Sequence, residues 1–293
     1  MGMMLWNGSS VLKIGLGLAC AIAGSLLLTA AISRREPRVN AAVERPATPE
    51  AQATHGNRTP VLVELFTSEG CSSCPPADAL IAQWSQAQPV AGAEVIALKE
   101  HVYYWNDLGW RDPFSSAKFS ERQNDYARAF GNAQVYTPQM IVDGREEFVG
   151  SNAARAQQAI TRAAQSPKLT VQLTWQPSAA PGGGPSLAVR IEQLVASASG
   201  DTAEVFLAIT EDNLHSNVLR GENAGSRFDH FAVVRELHSI GKADPHAALA
   251  FDARTSVNLS STWKRENLRV VVFAQERRSR HILALAAIAP PGT

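Results

Sequence analysis

Cysteine is scarce in this chain. There are three, Cys20, Cys71 and Cys74, and only the last two lie outside an apolar N-terminal run. So few cysteines exclude a scaffold stapled by several disulfides. A structural zinc site is also disfavoured, because it draws on a second close pair of ligands and no further cysteine exists to supply one. Net charge is missing too. Lys+Arg and Asp+Glu stand at 27 each, so no overall field draws the protein to nucleic acid or to an anionic membrane. No segment repeats with a period of roughly 20–50 residues, which excludes solenoids and propellers. What remains is a globular balance, 45% hydrophobic and 18% charged over 293 residues, enough for one large domain or two ordinary ones.

The N-terminus carries one long apolar run. Lys13 precedes Ile14–Ile32, "IGLGLACAIAGSLLLTAAI", which holds no charge. Residues 1–32 read as a signal peptide or a membrane anchor. Small residues at Thr29, Ala30 and Ala31 suit cleavage, whereas the length of the run nearly spans a bilayer. Either outcome places the protein outside the cytoplasm, periplasmic or secreted, and any membrane contact would come through this segment alone if it is uncleaved. Residues 33–60, rich in Ala, Pro, Arg, Thr and Glu without an apolar period, read as a flexible linker.

Residues 61–166 alternate strand and helix signals. "VLVELF" is a buried strand interrupted only by Glu64, and Ala77, Leu80, Ile81 and Trp84 mark the core stripe of a helix. "EVIALKEHV" is a second strand. A second helix follows, capped by Ser115 or Ser116, striped by Phe119, Tyr126, Ala127 and Phe130, and stopped at Gly131. "QMIVDGREEFVG" is a hairpin turning at Asp143-Gly144, and Ala156, Ala159, Ile160 and Ala163 give a third helix. The order β-α-β-α-β-β-α is the thioredoxin-like arrangement. Residues 167–293 carry about seven short strands and no convincing helix, the pattern of a sandwich. The expected fold class is thus an α/β thioredoxin-like domain followed by an all-β sandwich-like domain.

"LFTSEGCSSCPP" places Cys71 and Cys74 where a buried strand gives way to an amphipathic helix. Unsatisfied N–H groups and the helix dipole stabilise a thiolate there. On this reading Cys71 is the exposed nucleophile and Cys74 the shielded resolving thiol, with Pro75 and Pro76 tolerated in the first turn. The spacing also suits a metal: two cysteines and a histidine could bind copper, with His101 as the placed candidate. Thr137-Pro138, just before a strand, is a candidate cis-proline beside the cysteines.

"VELFTSEGCSSCPPAD", "HVYYWNDLGWRDPF", "RQNDYARAFG" and "VYTPQMIVDGR" resemble the exported bacterial family called domain of unknown function 1223. The resemblance spans both halves of the chain and implies a secreted or periplasmic thioredoxin-like protein with no substrate attached to the name. Tyr103 stands where the family pattern has Asp, so no acid role carries over to that position.

Several side chains are candidates around the pair. The aromatic loop after the second strand could wall a substrate groove, with Trp105 and Trp110 joined by Tyr136 as substrate-binding residues. His101 could share a proton with a departing thiolate. Glu64 could act as a buried acid, the alternative being a salt bridge to Lys99, while Glu69 is expected on an exposed loop. Arg220, Glu222, Asn223, His230 and Arg235 gather on a long loop suited to an interface with the redox segment or a partner. The functional expectation is a thiol–disulfide oxidoreductase acting on a protein or small thiol or disulfide substrate, with no cofactor beyond the Cys71–Cys74 disulfide. The alternative is a non-enzymatic binding protein, a copper or zinc carrier through the cysteine pair.

Overall fold

The computed structural model describes residues 58–177, 184–192, 201–243 and 249–292. The expected leader and nearly all of the expected linker lie outside them. No helix of the described residues is long and apolar enough to cross a membrane.

Strand β1 (Thr59–Thr67) runs parallel to β2 (Ala93–His101), joined by helix α1 (Pro75–Ala87). Ala77, Ile81 and Trp84 turn inward from α1. Helix α2 (Ala117–Phe130) starts where the Ser116 side chain accepts the Lys118 N–H, and ends at Gly131 in the left-handed conformation. Strands β3 (Gln139–Val142) and β4 (Glu146–Val149) form the hairpin, with Asp143 and Gly144 both at positive φ. Helix α3 (Ala153–Ala164) covers the same face as α1.

Among the described residues the second half is β apart from one 3-10 turn, Arg265–Asn267: β5 (Val171–Gln176), β6 (Ser186–Glu192), β7 (Ala203–Glu211), β8 (Leu214–Asn217), β9 (Arg227–His230), β10 (Val233–Ala243), β11 (Leu249–Ser256), β12 (Leu268–Glu276) and β13 (Ile282–Ile288). These strands do not fold apart from the first half. One eight-stranded mixed sheet runs β13-β12-β7-β10-β2-β1-β3-β4, with β10 parallel to β2 at Val233 and Lys99. A three-stranded sheet, β11-β6-β5, packs on the far end of it, and β8-β9 form a separate two-stranded hairpin.

The expected fold class is therefore corrected. The molecule is mostly β, with only three α-helices among the described residues around one large sheet, not an α/β thioredoxin-like domain followed by a sandwich. The reason lies in β7 and β12. "VFLAI" and "VVVF" are continuously apolar rather than alternating, because these strands are covered on both faces. Phe206 and Phe273 lie with Leu62, Ile96, Leu98 and Phe119 in one core beneath α2, so apolar packing crosses the seam between the two halves.

Candidate functional site: a covered disulfide at a strand-to-helix junction

β1 delivers the chain into the loop Ser68–Gly70 and then to Cys71. The Cys71 N–H donates to the Ser68 carbonyl at 3.1 Å, and Cys74 occupies the N-cap of α1 with Pro75 and Pro76 behind it. The two cysteines form a disulfide, Cα to Cα 5.5 Å. Both are 0% exposed, so Cys71 does not stand open to solvent as its position in the motif suggests.

Two loops and the Thr137-Pro138 segment meet the chain around the cysteines. The Thr137-Pro138 peptide is cis. The Ser73 hydroxyl lies 3.3 Å from the Cys71 sulfur and 3.4 Å from the Thr137 carbonyl it donates to. Trp105 Nε1 donates to the Thr137 hydroxyl at 2.8 Å, and a side chain at Gly70 would press on Trp105. From the second half, Asn223 Nδ2 donates to the carbonyls of Glu69 (2.8 Å) and Cys71 (3.0 Å), and the Glu222 carboxylate accepts the Ser72 N–H at 3.2 Å. Gly109 and Gly221, both at positive φ, let the two covering loops touch: a Cβ on Gly109 would lie 3.3 Å from Gly221 Cα.

Beneath this cover lies a chain of buried polar groups. Glu69, expected to be exposed, is buried because it accepts from Trp110 Nε1 at 2.7 Å, from His230 Nε2 at 2.9 Å and from Ser216. Lys99 Nζ, 2.8 Å from His230 Nδ1, continues the chain, and the Asp78 carboxylate lies 3.7 Å beyond it. With Lys99 donating to Nδ1, His230 carries its proton on Nε2 toward Glu69. Burial pushes both Lys99 and His230 below their ordinary pKa values; the nearby carboxylates only partly restore Lys99, and the Glu69 bond only partly restores His230. Asp78 also accepts from Thr67. It stands four residues after Cys74, one helical turn on and so on the same side of α1.

The remaining candidates are placed as follows. His101 shares its Nδ1 with Asp112 at 2.7 Å, its Nε2 is buried without a partner, and its ring packs edge-on against Phe114 and His230. Burial would raise Asp112, but His101 and the N–H groups of Glu69 and Phe114 bring it down to about 2. The Tyr136 hydroxyl donates to Glu147 and its carbonyl accepts from Gln123 Nε2 at 2.7 Å, which braces the approach to Pro138. Glu64 is not with the cysteines. It projects from the other face of β1, where Arg122 donates to it at 2.6 Å and Tyr126 bonds its second oxygen. The salt bridge weighed for Glu64 does not form, since Lys99 points to the opposite face.

Sequence reasoning passed over Asp78, Lys99 as a site residue, and Ser216. Only Asp78 left a signal, its i+4 spacing from Cys74. Among the described residues no group of three or more His, Cys, Asp or Glu side chains is arranged to hold a metal.

The architecture defines a mixed-sheet protein with a C-x-x-C disulfide set at a strand-to-helix junction under two loops. The chain belongs to the family described as protein of unknown function (DUF1223), which it matches over residues 62–275. It is similar in fold to a structural-genomics target from Agrobacterium tumefaciens, at 24% identity and a TM-score of 0.59, over 80% of this chain and 95% of that one. It is also similar to HBP35 of Porphyromonas gingivalis, at 15% identity and a TM-score of 0.59, over 81% of this chain and 79% of that one. No curated protein matches it.

Proposed function

We propose that this chain is an exported thiol–disulfide oxidoreductase with Cys71 as nucleophile and Cys74 as resolving thiol. The observation that carries the reading is the Cys71–Cys74 disulfide at the start of α1, beside the Thr137-Pro138 peptide. A substrate dithiol attacks the Cys71 sulfur as thiolate. A mixed disulfide forms, the Cys71–Cys74 bond breaks, and Cys74 leaves as thiolate and takes a proton. The second substrate thiol then attacks the mixed disulfide, releasing Cys71 and leaving the substrate oxidised by two electrons. The reverse sequence oxidises the protein. Asp78, one helical turn after Cys74 on α1 and 3.7 Å from Lys99, is the candidate to exchange the Cys74 proton.

Export rests on the uncharged run Ile14–Ile32, and places the pair in an oxidising compartment.

The test is direct. Oxidised protein incubated with dithiothreitol should gain two alkylatable thiols, and Cys71→Ser should lose exchange with a test disulfide entirely. Wild-type protein that exchanges with neither reagent would sink the reading.

A further inference from the structure

Exchange requires a sulfur to be approached from outside along the S–S axis, yet neither sulfur can be reached as the molecule stands. Part of the cover has to move. The β1–α1 framework cannot do so cheaply. Gly150 is so tightly set that a Cβ there would lie 2.8 Å from Leu65, 3.1 Å from Ala77 and 3.3 Å from Pro138.

The β8–β9 hairpin is built differently. It pairs only with itself and stands outside the large sheet, and two-stranded hairpins are marginal alone. Its two roots are residues in the left-handed conformation that are not glycine, Asn213 (φ 56°) before β8 and Ala232 (φ 53°) after β9. Asp212 ties those roots together by accepting the Ala232 N–H at 2.7 Å, and the Ala232 carbonyl accepts from Lys99. The base is therefore fixed. Val218 is buried partway along the hairpin, and Ser216 and His230 on its strands bond Glu69 beneath it; toward the tip, Gly221 packs by Trp110, while Asn223 bonds the carbonyls of Glu69 and Cys71 and Glu222 accepts the Ser72 N–H. Leu219 at the tip is 74% exposed.

We infer that the β8–β9 hairpin is a hinged cover latched by Asn223, and that this latch sets which thiols reach the Cys71–Cys74 disulfide. A small dithiol needs only a slight parting of the tip. A polypeptide lying alongside Thr137-Pro138 must displace Glu222 and Asn223 altogether. Asn223 is thus a positioning and specificity-determining residue: closed, it holds the Cys71 carbonyl and favours small thiols; released, it opens the groove to polypeptides. The inference rests on the oxidoreductase reading above.

The test compares two reductants on the oxidised full chain, dithiothreitol and reduced thioredoxin, scored by alkylation of the released thiols. Asn223→Ala should raise the rate with reduced thioredoxin by roughly tenfold or more, the size expected from losing two hydrogen bonds of the latch. The rate with dithiothreitol should rise by no more than about threefold on the same scale. A merely structural role would loosen the site for both reagents alike. Equal acceleration of the two, or no acceleration of either, overturns the inference while leaving the oxidoreductase reading intact. Wild-type protein that dithiothreitol cannot reduce sinks that reading instead, and the inference with it. Should Asn223→Ala fail to fold, Glu222→Ala removes one exposed latch contact, and the same ratio of rates decides the matter.

Discussion

The two faces of strands β1 and β2 bury polar clusters of opposite character. Toward α1 lie Lys99 and His101, linked through His230, Glu69, Asp78 and Asp112 to the loops over the disulfide. Toward α2 lie Glu64 and Glu100, closed in by Arg122, Tyr126 and Gln275. The Arg122 guanidinium stacks over Tyr126, Phe206 and Phe273, so that cluster is sealed by rings. Both faces hold buried charge; only the α1 face connects it to the Ser68–Cys71 loop. Burial of an ionisable group marks cost, and connection to a reactive atom marks function.

The comparison breaks hardest at its two cations. Arg122→Met leaves the Glu64 carboxylate buried and unpaired and should cost about 3–5 kcal/mol in urea unfolding. Lys99→Met, which strips the cation from Asp78 and Glu69, should cost a similar amount. The two should part in chemistry: the Lys99 variant should change the pH profile of dithiothreitol reduction, and the Arg122 variant should leave it in place. A shifted profile in the Arg122 variant would erase the distinction between the faces.

Acid sharpens the comparison next. The Asp112 carboxyl titrates at about 2 in the folded chain, below its ordinary value of 3.8, so its stabilisation is complete above that value. It fades as pH falls toward 2, and amounts to about 2 kcal/mol. Asp112→Asn should be destabilised near neutral pH, with the deficit shrinking in acid unfolding curves taken between about pH 5 and pH 2.

Glu100 should give the opposite slope. Burial, reinforced by the Glu64 charge, holds Glu100 well above the usual carboxylate range, so it folds protonated and ionises on unfolding. Its contribution therefore declines as pH rises from the unfolded value. Glu100→Gln should be close to neutral near pH 4.5 and gain on wild type above it, by at most about 1.4 kcal/mol per pH unit. A flat difference would show that Glu100 is ionised in the fold.

Much of the local structure of the first half was legible in the sequence. The Cys71–Cys74 spacing, the Ser116 and Gly131 caps and the Asp143-Gly144 turn each rest on local chemistry within a few residues. What escaped depends on contacts across long stretches of chain. Glu69 is buried by Ser216 and His230, and nothing near it in sequence announces that. Glu64 finds Arg122 rather than Lys99, because successive side chains on β2 face opposite ways and Lys99 takes the α1 side. The fold class failed at the seam between the halves, where β10 joins β2 and carries β7, β12 and β13 into one mostly β structure.

That join between β10 and β2 also limits how the protein can be divided. A fragment ending near residue 166 would leave the outer edge of β2 unpaired and strip Ile96 and Leu98 of Val234, Val271 and Phe273. Bare strand edges flanked by apolar side chains recruit other strands. The half that carries the cysteines should therefore aggregate when expressed without the strands that follow it, and insertions or truncations that respect the motif but not the seam should fail as insoluble chains.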